Sequence, residues 1–203
     1  DWSSDVCSSD LKRPIKLRMD RDDDILITGK RHNFYSDYEV GFNDKGIIEG
    51  VKIKLLSRCG ISPDLSGAIN GRALLHIDNA YYLSDVLVEN YLCKTNTSSS
   101  TAFRGFGGNQ GMMIIENIID NVAKYLRKDS AEVRKLNFYQ KNKKNTTHYG
   151  MKIEDNVINE IFSKLIKSSD YKKRRLKIKK FNLKNKYLKK GIAITPVKFG
   201  ISF

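Results

Sequence analysis

Along residues 38–58, apolar side chains recur at two-residue spacing: Val40 and Phe42 precede the turn Asn43-Asp44-Lys45-Gly46, and Val51, Ile53 and Leu55 follow it. This period predicts a hairpin with one buried face. Upstream, Ile15 to Thr28 reads as two short extended runs around the acidic turn DRDDD. The period then lengthens. SPDLSGAINGRALLHI offers Ser62 as an N-cap, Pro63 at the first helical position, and Leu65, Ile69 and Leu74 on roughly one helical face. SDVLVENYLC returns to strand. Ile115, Ile118, Ile119, Val122 and Leu126 mark an amphipathic helix, Asp129 and Glu132 are spaced to cap the next one reciprocally, and Val157 to Ile166 is again helical. GIAITPVKFGISF, at the end, is strand-like. The order of elements predicts an α+β fold without the regular βα alternation of a doubly wound sheet.

The 203 residues are 40% hydrophobic, enough to bury a core in one or two domains. No apolar run is long enough to span a membrane, and no basic-then-apolar secretory signal opens the chain, so a cytoplasmic protein is expected. Residues 1–11 differ in composition from the remainder and read as a non-native leader. With the strand-like end stopping abruptly at Phe203, the chain reads as cut at both ends. The loop YQKNKKNTTHYG is the expected boundary between subdomains. Cys7, Cys59 and Cys93 are too far apart to suggest a metal-ligand set and read as isolated thiols.

Net charge is +14, or +17 without the three aspartates of the leader. Residues 172–190 carry eleven Lys or Arg and no acid, with Leu176, Leu183 and Tyr187 at loose helical spacing. A basic run with interleaved aromatics can track phosphates, which makes a nucleic-acid-binding module the alternative from another functional class. No nucleic-acid motif accompanies the run, and a solvated helix face is the preferred reading.

The chemistry concentrates in TAFRGFGGNQG, residues 101–111, where four glycines surround Arg104 just ahead of a helix. Glycines cluster where the chain turns sharply or where something approaches the backbone closely. A helix N-terminus beside a guanidinium suits an oxo or phosphate group. The spacing matches neither a Walker loop nor a dinucleotide fingerprint, and on spacing alone a glycine turn with a packed arginine is preferred. Asp20, Asp22, Asp23 and Asp24 do not fit a calcium loop and read as a solvated turn. His32 and His76 read as hydrogen-bonded structural residues, and no histidine is given a catalytic role. Arg72 has the alternative of reaching solvent along an apolar stem, and Phe103 and Phe106 that of ordinary core residues.

In order along the chain, RPIKLRMDRDDDILITGKRH, GRALLHIDNAYYL, CKTNTSSSTAFRGFGG and KKGIAITPVKFGISF resemble segments of the molybdenum hydroxylases, the xanthine dehydrogenase and aldehyde oxidase family. The resemblance spans nearly everything from Arg13 to Phe203. It implies that residues 12–145 are the C-terminal part of a first molybdopterin-binding domain and 146–203 the start of a second. It further implies a molybdenum–molybdopterin centre that oxidises hypoxanthine or xanthine to urate with oxygen from water. Arg104 and Gly105 would lie against that cofactor, Arg104 beside the molybdenum without ligating it. Phe106 would touch both cofactor and substrate, Phe203 would face Phe106 across the purine, and Arg72 would meet the purine's far end. The catalytic glutamate is expected beyond Phe203, so no catalytic residue is assigned within the chain, and the 203 residues alone are expected to be inactive. Iron–sulfur clusters and FAD would reside in other domains or subunits of an oligomeric enzyme. An aldehyde oxidase-like activity is the alternative within the family.

Overall fold

The computed structural model describes residues 12–200. Its first helix, α1 (Arg21–Ile27), replaces the extended runs expected around DRDDD. The Asp20 carboxylate accepts hydrogen bonds from the amides of Asp22 and Asp23 at 3.0 and 2.9 Å. Asp22, Asp23 and Asp24 then occupy the first turn, where the helix dipole favours negative charge. The acidic run is a helix start, and this capping outweighs the alternating apolar pattern.

β1 (Phe34–Phe42) and β2 (Ile48–Gly60) form the expected antiparallel hairpin, with Val40 opposite Val51 and a slip at Gly41/Phe42 that pairs Phe42 with Ile48. The side chain of Asn43 fixes the turn by accepting from the amides of Lys45 and Ile47. β2 also pairs in parallel with β3 (Val86–Lys94), giving a three-stranded sheet in the order β1-β2-β3. The β2–β3 connection carries α2 (Ser66–Leu75), a single βαβ unit grafted on a hairpin.

α3 (Gly108–Tyr125) packs on α2 and on the sheet. Ile115, Ile118, Ile119 and Val122 of α3 are buried with Val51, Ile53 and Leu55 of β2, as their spacing predicts. Each such side chain contributes about 1.5–3 kcal/mol relative to leaving it in water. The face of α2 differs from expectation. Ser66, Ile69, Asn70, Arg72 and Ala73 are buried, whereas Leu65 is exposed and Leu74 is half-buried. Ser62 does not cap α2; its hydroxyl pairs with that of Ser99 at 2.6 Å.

The glycines explain that rotation. A Cβ at Gly107 would lie 2.0 Å from the Ile69 carbonyl oxygen, and one at Gly111 would lie 2.2 Å from that of Ala73. The two bare positions, four residues apart, let the start of α3 meet the backbone of α2 directly. The face of α2 is therefore chosen by close approach of main chain, not by its leucines.

α4 (Ser130–Asn137) begins at Asp129, whose carboxylate accepts from the Ala131 amide at 2.9 Å. Glu132 makes no return bond among the described contacts; Asp129 instead holds Arg175 at 2.5 Å and the Tyr171 hydroxyl at 3.1 Å. α5 (Ile158–Ser168) and α6 (Tyr171–Lys184) follow. α6 carries most of the basic run, with Leu176 and Leu183 exposed beside it and Tyr187 exposed just beyond its end. No helix among the described residues is long and apolar enough to cross a membrane.

The described part of GIAITPVKFGISF is not a strand. The turn after α2 holds it through side chains. Asn79 donates to the Pro196 carbonyl at 3.0 Å and accepts from the Lys198 amide at 3.0 Å. Lys198 forms an ion pair with the fully buried Asp78, which also accepts from the Tyr139 hydroxyl at 2.5 Å. Proline lacks the N–H that a ladder needs, and these bonds take the ladder's place.

Candidate functional site

Three segments distant in sequence converge at the C-terminal end of α2: Arg72 from α2 and His76 at its C-cap, Gly108 from the glycine-rich loop, and Phe199-Gly200 from the C-terminal segment. Arg72 is buried, at 8% exposure, which excludes the alternative in which it reaches solvent. Its guanidinium lies 4.7 Å from the Phe199 ring centroid and donates through Nη2 to the Gly200 carbonyl. His76 receives the Gly200 amide on Nε2 at 3.2 Å and sits 5.2 Å from the Phe199 ring. A Cβ at Gly108 would come within 2.8 Å of that same ring. The bare backbone of the loop thus admits an aromatic side chain as well as a helix.

The loop itself is tightly folded. Gly105, Phe106 and Gly107 have φ values of +90°, +47° and +94°, three successive left-handed residues. That conformation costs an L-residue about 1–2 kcal/mol, which glycine avoids and Phe106 bears. Phe106 is half-buried and lines a narrow crevice with Arg31, His32, Ile69, Phe103 and Gln110. Arg104 is exposed, and its carbonyl accepts from Nη2 of Arg31 at 2.6 Å. The Arg31 guanidinium is also 4.4 Å from the ring centroid of Phe103, itself 59% exposed and so not a core residue. Phe203 lies outside the described residues, as do Cys7 and the leader.

Arg72 and the glycine-rich loop, singled out from sequence, are therefore joined through Phe199, while Arg104 faces solvent. Arg31 and Phe199 are residues that sequence reasoning passed over, and His76 is hydrogen-bonded as expected, to the Arg72 carbonyl and the Gly200 amide. The i,i+4 spacing of Arg72 and His76, two polar residues that flank the run ALL, is the signal that pairs them on one face.

Residues 101–115 contain no acid, and Arg104 is exposed. Beneath the loop, Nη1 of Arg31 is a buried donor without a hydrogen-bond partner. An anionic, oxo-bearing group suits this donor-rich surface. No group of three or more His, Cys, Asp or Glu able to hold a metal ion directly is present among the described residues. Cys59 is buried, Cys93 is half-buried, and neither is paired.

All three histidines are hydrogen-bonded, His32 and His76 buried and His148 half-buried: His32 to the Ser66 hydroxyl at 2.6 Å, His76 to the Arg72 carbonyl at 3.0 Å, and His148 to the Leu74 carbonyl at 3.0 Å. Burial lowers the pKa of each below the ordinary 6.5. The unfolded chain therefore binds more protons than the folded one in that range, and the stabilisation held above pH 6.5 is lost as pH falls through the lowered values. Urea midpoints measured from pH 7.5 down to pH 5 are expected to decrease. A midpoint that rises on acidification contradicts this assignment.

Comparison with known proteins places these features in a family. Residues 4–138 match the model of the molybdopterin cofactor-binding domain. The chain is 42% identical over 193 residues to a xanthine dehydrogenase of Drosophila subobscura, covering 95% of this chain and 14% of that protein. It is 43% identical to a xanthine dehydrogenase/oxidase of Gallus gallus, covering 94% of this chain and 14% of the relative. The chain thus spans about one-seventh of the length of either relative. Among solved structures, quinoline 2-oxidoreductase of Pseudomonas putida superimposes with a TM-score of 0.73 at 20% identity, over 87% of this chain and 23% of that one.

Proposed function

The chain belongs to the molybdopterin cofactor-binding domain family, and we propose that it forms part of the catalytic region of a molybdenum hydroxylase that converts hypoxanthine or xanthine to urate with oxygen from water. Residues 12–145 would complete one molybdopterin-binding domain and residues 146–203 would begin the next. Iron–sulfur and flavin groups would lie in other domains or subunits of this cytoplasmic, oligomeric enzyme. When bound, the molybdenum–pterin group supplies the oxidising centre and the activated oxygen.

The observation that carries the purine reading is Arg72, a guanidinium buried where α2, the glycine-rich loop and the C-terminal segment meet. Attack by oxygen on a purine builds negative charge on the ring and its exocyclic oxygen. A fixed cation at the ring's far end stabilises that charge more in the transition state than in the ground state. Phe106, held in a left-handed conformation, and Phe203 would orient the ring between them. Arg104 and Gly105 would hold the cofactor's oxo side, the first by charge and the second by close backbone approach. An aldehyde oxidase-like activity ranks second, because the oxidation of a simple aldehyde gives Arg72 no charge to meet.

The test is turnover of xanthine by the whole enzyme in ¹⁸O-labelled water, with label expected in urate; urate that takes its oxygen from O₂ rules the proposal out. Arg104→Ala is expected to lower activity about tenfold, the lower end of what one charged hydrogen bond contributes. Its thermal unfolding should shift little, since the side chain is exposed. Unfolding of this variant with full activity in the folded remainder would make Arg104 a structural residue.

A further inference from the structure

We infer that His76, as a neutral ring with its proton on Nδ1, is a positioning residue that clamps the Gly200 peptide against Arg72. The inference deepens the purine reading of Arg72 and rests on it.

The tautomer follows from the partners. Nδ1 lies 3.0 Å from the Arg72 carbonyl oxygen, which can only accept, so Nδ1 carries the proton. Nε2 then accepts from the Gly200 amide at 3.2 Å. Arg72 donates to the carbonyl of the same Gly200. Both backbone polar groups of one residue are thus held by side chains one helical turn apart on α2. The clamped residue is three positions before Phe203, the ring proposed to cover the substrate.

The clamp has no slack toward α3. A Cβ at Gly108 would lie 2.8 Å from the Phe199 ring and 3.5 Å from Cδ2 of His76, so the two rings already fill the space that glycine leaves. A protonated imidazole has no acceptor to offer Gly200, so the clamp exists only with the ring neutral. The groups facing the ring divide: burial opposes a positive charge most, the Arg72 carbonyl favours one, the Arg72 guanidinium and Lys198 on the C-terminal segment oppose it, and Asp78 in the following turn favours it. α3 faces the ring with Gly108, which does not titrate.

Two variants of the whole enzyme separate the parts. His76→Phe keeps a ring and removes both hydrogen bonds, whereas His76→Gln retains an acceptor for the Gly200 amide. Hydrogen exchange followed by mass spectrometry on peptides covering 197–203 reads the clamp without reference to activity. Exchange in His76→Phe should rise about tenfold, the loss of one buried hydrogen bond, and His76→Gln should restore at least half of the protection. In the unaltered enzyme that protection should disappear on acidification below the ordinary histidine range, beyond the intrinsic change in exchange rate. His76→Phe should show no such transition. For xanthine, KM should rise about tenfold in His76→Phe while kcat moves less than twofold. Unchanged exchange in His76→Phe, or equal loss in the Phe and Gln variants, overturns the inference. An unaltered enzyme that purifies without molybdenum overturns the functional reading instead, and the exchange data still decide the clamp.

Discussion

Replacing Arg134 with leucine is expected to destabilise the fold by about 3–5 kcal/mol, the cost of removing one partner from a buried ion pair. The Arg134 side chain is 2% exposed; it donates from Nε to Glu116 at 2.7 Å and from Nη2 to Asp120 at 2.9 Å. Its loss leaves Glu116 with the Tyr81 hydroxyl at 2.5 Å and the Asn79 amide at 2.9 Å, and with no cation. Asp120 is 42% exposed and can rehydrate, so most of the cost falls on Glu116. Adding Glu116→Gln should recover part of the loss, because a neutral amide oxygen still accepts from Tyr81. The measurement is urea-dependent hydrogen exchange in peptides from α3 and α4 of the whole enzyme. A change below about 1 kcal/mol would place the network among surface pairs of little weight. Asn79 connects this network to the site, since it bonds Glu116, Pro196 and Lys198 together. The variant should therefore also loosen the segment that carries Phe199.

The parts of this fold that are legible in sequence are those in which a side-chain period faces an apolar neighbour. Val51, Ile53 and Leu55 announce a strand, and Ile115, Ile118, Ile119 and Val122 announce a helix, because each set buries one continuous face. α2 defeats that logic. Its packing is set by Gly107 and Gly111, whose contribution is an absent side chain against backbone, while Leu65 ahead of it and Leu75 at its end are left exposed. The C-terminal segment looks like a strand because Ile192 and Ile194 alternate and Thr195 and Val197 add β-branched residues. Its hydrogen bonds, however, go to Asn79, Asp78, His76 and Arg72, residues more than a hundred positions earlier, and no local pattern encodes that. α1 was legible in principle, since Asp20 followed by three further acids is a cap with a favourable first turn. The position of Arg72 came from resemblance alone, and its burial from neither resemblance nor periodicity: an arginine beside ALLH becomes interior only when Phe199 and Gly200 fold over it.

Arg72→Met is expected to lower kcat/KM for xanthine about 10–200-fold, a loss of ~1.4–3 kcal/mol, and to cost a benzaldehyde no more than His76→Phe does, because only the purine develops charge at that end. Methionine keeps an unbranched apolar stem against Phe199 and removes the donors. Two contributions are lost together: the charge offered to the purine, and the hydrogen bond to the Gly200 carbonyl. His76→Phe separates them, because it releases the amide side of the same clamp and leaves the guanidinium in place. A structural role for Arg72 makes the two variants resemble each other, with a raised KM, a kcat that barely moves, and comparable losses on purine and aldehyde. A charge-stabilising role makes Arg72→Met the worse of the two for xanthine in kcat itself, while aldehyde turnover distinguishes them little. Equal losses on both substrates in Arg72→Met, matching those of His76→Phe, would reduce Arg72 to a fastening for the C-terminal segment and remove the reason for preferring purines over aldehydes.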